Sequence, residues 1–135
     1  MSEGAASPPE PVLEPAELTE FHKGIEEFNA GKFFECHDTL EEVWRGIRGP
    51  AREYFQGLIQ ISVGFYHLGN GNLRGAESQL ERALANLEPY GARYLGVELA
   101  DLRREIGQWL GRIRSGEKLG GSVADLPKYR YTPPT

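Results

Sequence analysis

Apolar residues recur every three or four positions through most of this chain, and turn residues separate one run from the next. The first run follows Pro15 and stops before Gly31; it consists of Leu18, Phe21, Ile25 and Phe28. This spacing predicts an amphipathic helix with proline in its first turn and a left-handed glycine at its end.

Four further runs predict helices at about 33–45, 51–68, 73–87 and 97–114. Turn signals at 48–50 and 69–72 separate them, and Asn72 is suited to cap the fourth helix. The third helix is apolar around most of its circumference, which predicts a central position. No segment with the two-residue period of a strand competes, so we predict an all-α five-helix bundle.

The first two hairpins resemble each other at an offset of 40 residues. Gly24 aligns with Gly64 and Gly31 with Gly71, and apolar or small positions also match: Phe33 with Leu73, Cys36 with Ala76, Leu40 with Leu80 and Val43 with Ala83. Small residues at such positions allow helices to approach closely. The pattern indicates TPR-like hairpins, although a TPR unit has ~34 residues, and the fifth helix would cap the second hairpin.

Composition divides the 135 residues into unlike parts. We predict a flexible proline-rich lead-in at 1–14, a single helical domain at 15–115 and an extended tail at 116–135 that lies over the bundle. Residues 1–42 hold eleven acidic and two basic residues, and the remainder holds nine and thirteen. The net charge of −5 argues against general nucleic-acid binding.

Cysteine and hydropathy indicate the compartment. A single cysteine excludes an internal disulfide. The acidic first residues do not resemble a signal peptide, and no run approaches the ~20 apolar residues that a membrane span requires. We therefore expect a cytoplasmic protein without a membrane segment.

The densest polar cluster lies in the second helix. His37, Glu41 and Trp44 share one helical face, and the third helix carries a matching stripe of Gln56, Gln60, Val63 and His67. Antiparallel packing pairs residues whose numbers total about 97. We therefore predict a buried seam in which His37 faces Gln60 and Glu41 faces Gln56.

Three interpretations of the seam stay open. Glu41 could orient His37 as a catalytic acid–base pair, which makes these two residues the catalytic candidates. A metal site would have too few ligands for zinc, so no metal and no cofactor is predicted. The third interpretation is a satisfied hydrogen-bond network that fixes helix register, with His37→Ala destabilising the fold by about 1–3 kcal/mol.

Two other features are candidates for a functional role: the single cysteine and a group of basic residues. Cys36 matches Ala76 in the repeat, which favours a small packed residue over a reactive thiol. Basic residues near the C-terminus indicate either a solvated face that pairs with the acidic N-terminal half or a surface for an anionic partner such as RNA or an acidic protein; they are Arg103, Arg104, Arg112, Arg114, Lys118, Lys128 and Arg130.

The run from Phe28 to Trp44, together with Gln56–Gln60 and Tyr66-His67, resembles the bacterial and archaeal domain-of-unknown-function family numbered three hundred and nine. The resemblance covers about residues 18–90. It implies a small all-helical bundle without an established activity. It also implies a site at the signature positions, which here are Glu35, His37, Glu41, Trp44, Gln56, Gln60 and His67.

Two function classes follow. The first is an interaction or scaffold module that docks a protein partner in a groove between the hairpins or on the basic C-terminal part. The second is a small hydrolase-like enzyme or metal-binding protein that uses His37 and Glu41. Solvent access to the His37 imidazole discriminates between them, because an imidazole that is wholly enclosed with both nitrogens hydrogen-bonded excludes the enzyme.

Overall fold

Five helices, each packed against the next, form the all-α bundle that the apolar periodicity predicts. The computed structural model describes residues 7–117 and 125–134. The helices are α1 (Pro15–Asn29), α2 (Phe33–Gly46), α3 (Arg52–Gly69), α4 (Leu73–Leu87) and α5 (Leu99–Arg114), with a 3-10 turn at Gly49–Ala51. The parts of the predicted lead-in and tail at 1–6, 118–124 and 135 lie outside the described residues.

The repeat at an offset of 40 is visible as two equivalent helix contacts. A Cβ built on Gly24 of α1 would lie 2.7 Å from Cδ2 of Leu40 in α2. A Cβ built on Gly64 of α3 would lie 2.7 Å from Cδ2 of Leu80 in α4. Each hairpin is therefore closed by a leucine that packs directly on a glycine.

Helix α3 is the centre of the bundle, as its apolar circumference predicts. Ten of its residues are buried, because α2 packs on one side of it and α4 on another. At its N-terminal end the Tyr54 amide donates to the hydroxyl of Tyr90 at 3.0 Å, which ties α3 to the segment after α4. None of the helices in the two described ranges has the length and apolar content that a membrane crossing requires.

A short β-hairpin that the sequence pattern does not predict precedes α5. Strands β1 (Arg93–Tyr94) and β2 (Val97–Glu98) pair antiparallel, so α5 begins at Leu99 rather than near residue 97. Leu95 and Gly96 form the turn with φ of 47° and 82°. Two-residue strands are too short to show an alternating period, which is why periodicity misses them.

Residues 7–14, predicted as part of a flexible lead-in, make defined contacts with the hairpin region. Gly91 donates its amide to Ser7 Oγ at 2.7 Å, and Leu95 donates to Glu10 Oε2 at 3.0 Å. Residues 125–134 contact α1, α3 and the hairpin.

Candidate functional site

The contact between α2 and α3 carries a shallow groove on its exposed side, with a volume of about 180 Å³. We call it the aromatic groove. Phe34 is 53% exposed and Tyr66 is 41% exposed, and their ring centroids lie 5.6 Å apart. The full lining is Phe33, Phe34, His37, Val63, Tyr66 and His67.

The core face of α2 determines which side chains line the groove. Cys36, Leu40 and Val43 are buried, and Cys36 Sγ contacts Ser62 Oγ of α3 at 3.0 Å. Phe34 lies two positions before Cys36, about 200° around the helix, so its ring stays at the surface. The Cys36–Ser62 pair has indices that total 98, within one residue of the predicted antiparallel register.

His37 lies at the surface of α2, where solvent reaches it. Its side chain is 27% exposed, with Nε2 3.4 Å from Glu41 Oε2 and Nδ1 3.3 Å from Asp38 Oδ1. Glu41 also pairs with Arg45 at 3.2 Å. The predicted approach of His37 and Glu41 is therefore present, but as part of an exposed charge network.

The predicted buried seam is wrong in its cross-helix contacts. Gln60 is 9% exposed and accepts a 2.7 Å hydrogen bond from Asn86 Nδ2 of α4. It therefore faces α4 rather than His37, and Gln56 is half-buried one turn before it. The sum of two residue numbers predicts how far along an antiparallel helix pair the two residues lie. It does not predict in which direction around the helix axis each side chain points. Because α3 packs against two helices, that angle decides the partner.

The remaining signature residues spread over different parts of the molecule. His67 lines the aromatic groove, with Nδ1 3.5 Å from Asn72 Nδ2. Trp44 lies about 15 Å along α2 from Phe34, with the Arg52 guanidinium 4.1 Å above its ring. Glu35 is exposed. The structure thus brings His37 and His67 to one groove and places Trp44 at the α2–α3 turn.

Cys36 is a packed residue, as its match to Ala76 predicts. It has no exposed surface, and burial raises the pKa of its thiol to about 12. A thiol with so high a pKa holds almost no nucleophilic thiolate at neutral pH. The residue therefore contributes packing and a contact with Ser62.

The basic residues of α5 are paired within the molecule. Arg114 binds Glu77 at 2.8 Å and Glu81 at 2.5 Å, both on α4. Asp101 holds Arg104 at 2.5 Å and Arg130 at 2.8 Å. The predicted pairing with the acidic N-terminal half is wrong for these residues, because their acidic partners come from α4 and α5. Lys118 lies outside the described residues.

His37 and Glu41 are in contact, as acid–base chemistry requires. Their surroundings do not favour catalysis. Within residues 7–117 and 125–134, no group of three or more His, Cys, Asp or Glu side chains lies close enough together to hold a metal ion. The aromatic groove beside the pair is lined by apolar rings and two imidazoles. These surfaces favour binding of an apolar group over chemistry on a polar one.

Phe34, Val63 and Tyr66 are the groove residues that sequence reasoning did not place at a surface. Their position around the helix axis could have shown this exposure. Phe34 lies out of phase with the apolar face of α2, and Tyr66 follows Phe65, which is buried. An all-round apolar helix such as α3 hides this signal, because its exposed rings resemble its buried ones in the sequence.

Comparisons with known proteins identify relatives of the helical region. Residues 21–79 match the family described as Domain of unknown function (DUF309). An uncharacterized protein of Aquifex aeolicus (strain VF5) is 25% identical over 90 residues, which are 66% of this chain and 27% of that protein. The uncharacterized protein YpuF of Bacillus subtilis (strain 168) is 34% identical over 91 residues, 66% of this chain and 49% of its own length. The aligned segment thus spans half or less of each relative, and none of these descriptions indicates a specific activity.

Proposed function

Since residues 21–79 match the DUF309 family, as the resemblance implies, we propose a function for this region from its geometry: it is an interaction module that holds a helix of a partner protein in the aromatic groove. The observation that carries the proposal is the pair of Phe34 and Tyr66, whose rings contact each other while about half exposed. Burial of such surface stabilises a complex by ~25 cal/mol per Å².

The size of the aromatic groove favours a side-chain anchor over a small-molecule substrate. Its volume of about 180 Å³ is below the ~300–1,000 Å³ of typical ligand pockets. A single large apolar side chain of a partner helix suits such a groove, as in helix-in-groove recognition.

Charge on the α2 side of the groove selects the flanks of that helix. Glu35 and Asp38 are exposed on α2 and outnumber Lys32, the exposed cation just before this helix. A partner with lysine or arginine beside its apolar anchor complements this acidic rim, which increases the association rate and the specificity.

The proposal also includes the helical hairpins as a support for the aromatic groove and a cytoplasmic location for the protein. The TPR-like hairpins α1–α2 and α3–α4 provide a rigid support, because glycine contacts hold each pair closely. A cytoplasmic location is supported by the single cysteine, which is buried as a free thiol.

A selection from a library of displayed helical peptides tests this function. We expect enriched peptides to carry one large apolar residue with basic neighbours. Their binding should fall at least tenfold for the double variant Phe34→Ala/Tyr66→Ala, because that variant removes the rings that the anchor contacts.

Val12→Ala is the matched control, since Val12 is an apolar residue with 97% exposure that does not line the aromatic groove. This variant should retain full affinity for the enriched peptides. The proposal is overturned if no peptide is enriched, if the enriched peptides are acidic, or if both variants bind them equally.

A further inference from the structure

Residues 125–134, which we call the C-terminal segment, are bound to the bundle in the way a separate peptide would be. The side chain of Asn29, at the end of α1, donates from Nδ2 to the carbonyl of Tyr129 at 3.0 Å. Its Oδ1 accepts from the Tyr129 amide at 2.8 Å. One asparagine therefore satisfies both backbone groups of a residue 100 positions away, whatever side chain that residue carries.

The Tyr129 side chain fills a slot between α1 and α3. It is 3% exposed, and its ring stacks on Phe28 with centroids 4.1 Å apart and planes 14° from parallel. Its hydroxyl donates to the Leu58 carbonyl at 3.4 Å. Ser62 Oγ donates to the same carbonyl and contacts Cys36 Sγ, so the only cysteine lies directly beside the buried end of the slot.

The β-hairpin holds the next residues by strand pairing. Glu98 donates its amide to the Arg130 carbonyl at 2.9 Å, and Thr132 donates to the Gly96 carbonyl at 2.8 Å. The Arg130 guanidinium contacts Asp101 at 2.8 Å. Addition of an extended strand to a sheet edge is a common mode of peptide recognition.

The seat of Tyr131 fits an aromatic ring but not its hydroxyl. The ring contacts Phe21 and His22 edge-on, with centroids 5.5 Å and 5.0 Å away. The Tyr131 hydroxyl and His22 Nε2 are buried and have no hydrogen-bond partner among residues 7–117 and 125–134. A phenylalanine at this position would fill the same space and leave no hydroxyl unpaired.

We propose that the surface under the C-terminal segment is a second recognition site, separate from the aromatic groove, for extended peptides of the pattern tyrosine, basic residue, phenylalanine or tyrosine. The C-terminal segment is its resting occupant. The clamp of Asn29 and the edge of β2 bind the backbone, the slot over Phe28 selects the tyrosine, and Asp101 selects the base.

The first experiment measures binding of a fluorescein-labelled peptide with the sequence of residues 125–134 to the 135-residue chain that carries Tyr129→Ala, by fluorescence anisotropy. This variant empties the slot and keeps Asn29. We expect at least tenfold tighter binding than to the wild-type chain, whose slot is occupied. A peptide with phenylalanine in place of Tyr131 should bind roughly fivefold tighter still, and one with alanine in place of Tyr129 should not bind. Equal affinity of the first peptide for the folded variant and the wild type overturns the proposal.

A second experiment does not require Tyr129 to be replaced. Cys36 is the only cysteine, so its reaction rate with Ellman's reagent reports release of the C-terminal segment. We expect Asn29→Ala to raise this rate at least tenfold relative to Lys128→Ala, a control whose replaced side chain is exposed. Addition of the labelled peptide to Asn29→Ala should not restore protection, because the clamp is missing. Equal rates for the two variants contradict the proposal.

Discussion

At the scale of single residues, glycines inside helices allow the close contacts of α1 with α2 and of α3 with α4. A Cβ on Gly64 would lie 2.7 Å from Cδ2 and 2.9 Å from Cγ of Leu80, and Leu80 is fully buried. The leucine cannot move aside without disturbing the core. On α5, by contrast, a Cβ on Gly111 would meet nothing within 4 Å in the part of the chain that the structure describes.

The same substitution should therefore have opposite effects at these two positions. Gly64→Ala forces Leu80 to move, which costs about 1–3 kcal/mol and exceeds the ~1 kcal/mol that alanine gains in helix propensity. Gly111→Ala keeps that gain and should stabilise the protein by up to about 1 kcal/mol. Urea unfolding of both variants checks the signs, and a change in the same direction would refute this account of the contact.

Buried hydroxyl and thiol groups predict a loss of stability at alkaline pH. Burial raises the pKa of Cys36 from 9.0 to about 12 and the pKa of Tyr129 well above 10.0. Between pH 9 and 12 the unfolded chain therefore binds fewer protons than the native one, so stability falls as pH rises. The slope for one such group is about 1.4 kcal/mol per pH unit.

Melting temperatures recorded from pH 7 to 10.5 check this prediction, with Cys36→Ala as the matched variant. Alanine is the residue at the equivalent repeat position, Ala76, which is also buried. We expect the variant to lose less stability than the wild type between pH 9 and 10 and to match its profile below pH 9. Parallel profiles throughout would exclude a Cys36 contribution.

Residue types alone could predict part of the candidate site. The contact of His37 with Glu41 follows from their spacing of four on one helix, and the packed state of Cys36 follows from the repeat. The partner of Gln60 does not follow, because α3 has neighbours on two sides. The loss of about 1–3 kcal/mol predicted for His37→Ala assumed a buried network that joins His37 to Gln60. Gln60 is instead bound to Asn86, and His37 is 27% exposed, so that reason for the loss does not hold.

At the scale of elements, the two hairpins begin their second helices with the same backbone but different caps. Asn72 has φ −88° and ψ 81°, and its side chain accepts from the Gly75 amide at 2.9 Å. Lys32, the equivalent residue before α2, has φ −89° and ψ 70° and no side-chain cap. The backbone at Lys32 is therefore suited to an N-cap hydrogen bond, but a lysine side chain has no acceptor to form one.

Lys32→Asn should therefore stabilise the protein. An asparagine at this position can accept from the Glu35 amide as Asn72 does from Gly75, and such a cap contributes about 0.5–2 kcal/mol. Removal of a positive charge from a helix N-terminus acts in the same direction. Thermal unfolding of Lys32→Asn and of the reverse control, Asn72→Lys, should give shifts of opposite sign, and an unchanged melting temperature for both would contradict the equivalence.

Helix positions could be predicted from the sequence because each helix is long enough to show its period and is bounded by proline, asparagine or glycine. Gly31 and Gly71 lie in the loops after α1 and α3, with φ of 78° and 77°. The hairpin before α5 could not be predicted in this way. Its strands have two residues each, and their pairing depends on contacts with residues 7–14 and 125–134 that no local pattern encodes.

At the scale of the whole molecule, segments far apart in sequence close the bundle. Glu10 binds the hairpin turn through the Leu95 amide, and Tyr131 forms a bridge with Val97 in β2. Asn29 then links α1 to the C-terminal segment. The helical framework is thus secured at one end by contacts that span most of the chain.

Asn29→Ala should destabilise the protein by about 1–3 kcal/mol, because the amide and carbonyl of Tyr129 lose their partners where they are partly shielded from water. Asn70→Ala is the control: Asn70 is an exposed asparagine at the C-cap of α3, whereas Asn29 is the last residue of α1. It should change stability by less than about 0.5 kcal/mol. Denaturant unfolding measures both, and equal effects would show that the clamp contributes nothing.

The closure of the bundle by Asn29 and Tyr129 has a consequence for the order of folding. The contacts of Gly24 with Leu40 and of Gly64 with Leu80 join residues 16 apart, whereas Asn29 and Tyr129 are 100 apart. Long loops are entropically expensive to close before other structure exists. The two hairpins should therefore form in the folding transition state, and the C-terminal segment should join last. Substitutions at Leu80 would then slow folding, and those at Tyr129 would mainly speed unfolding.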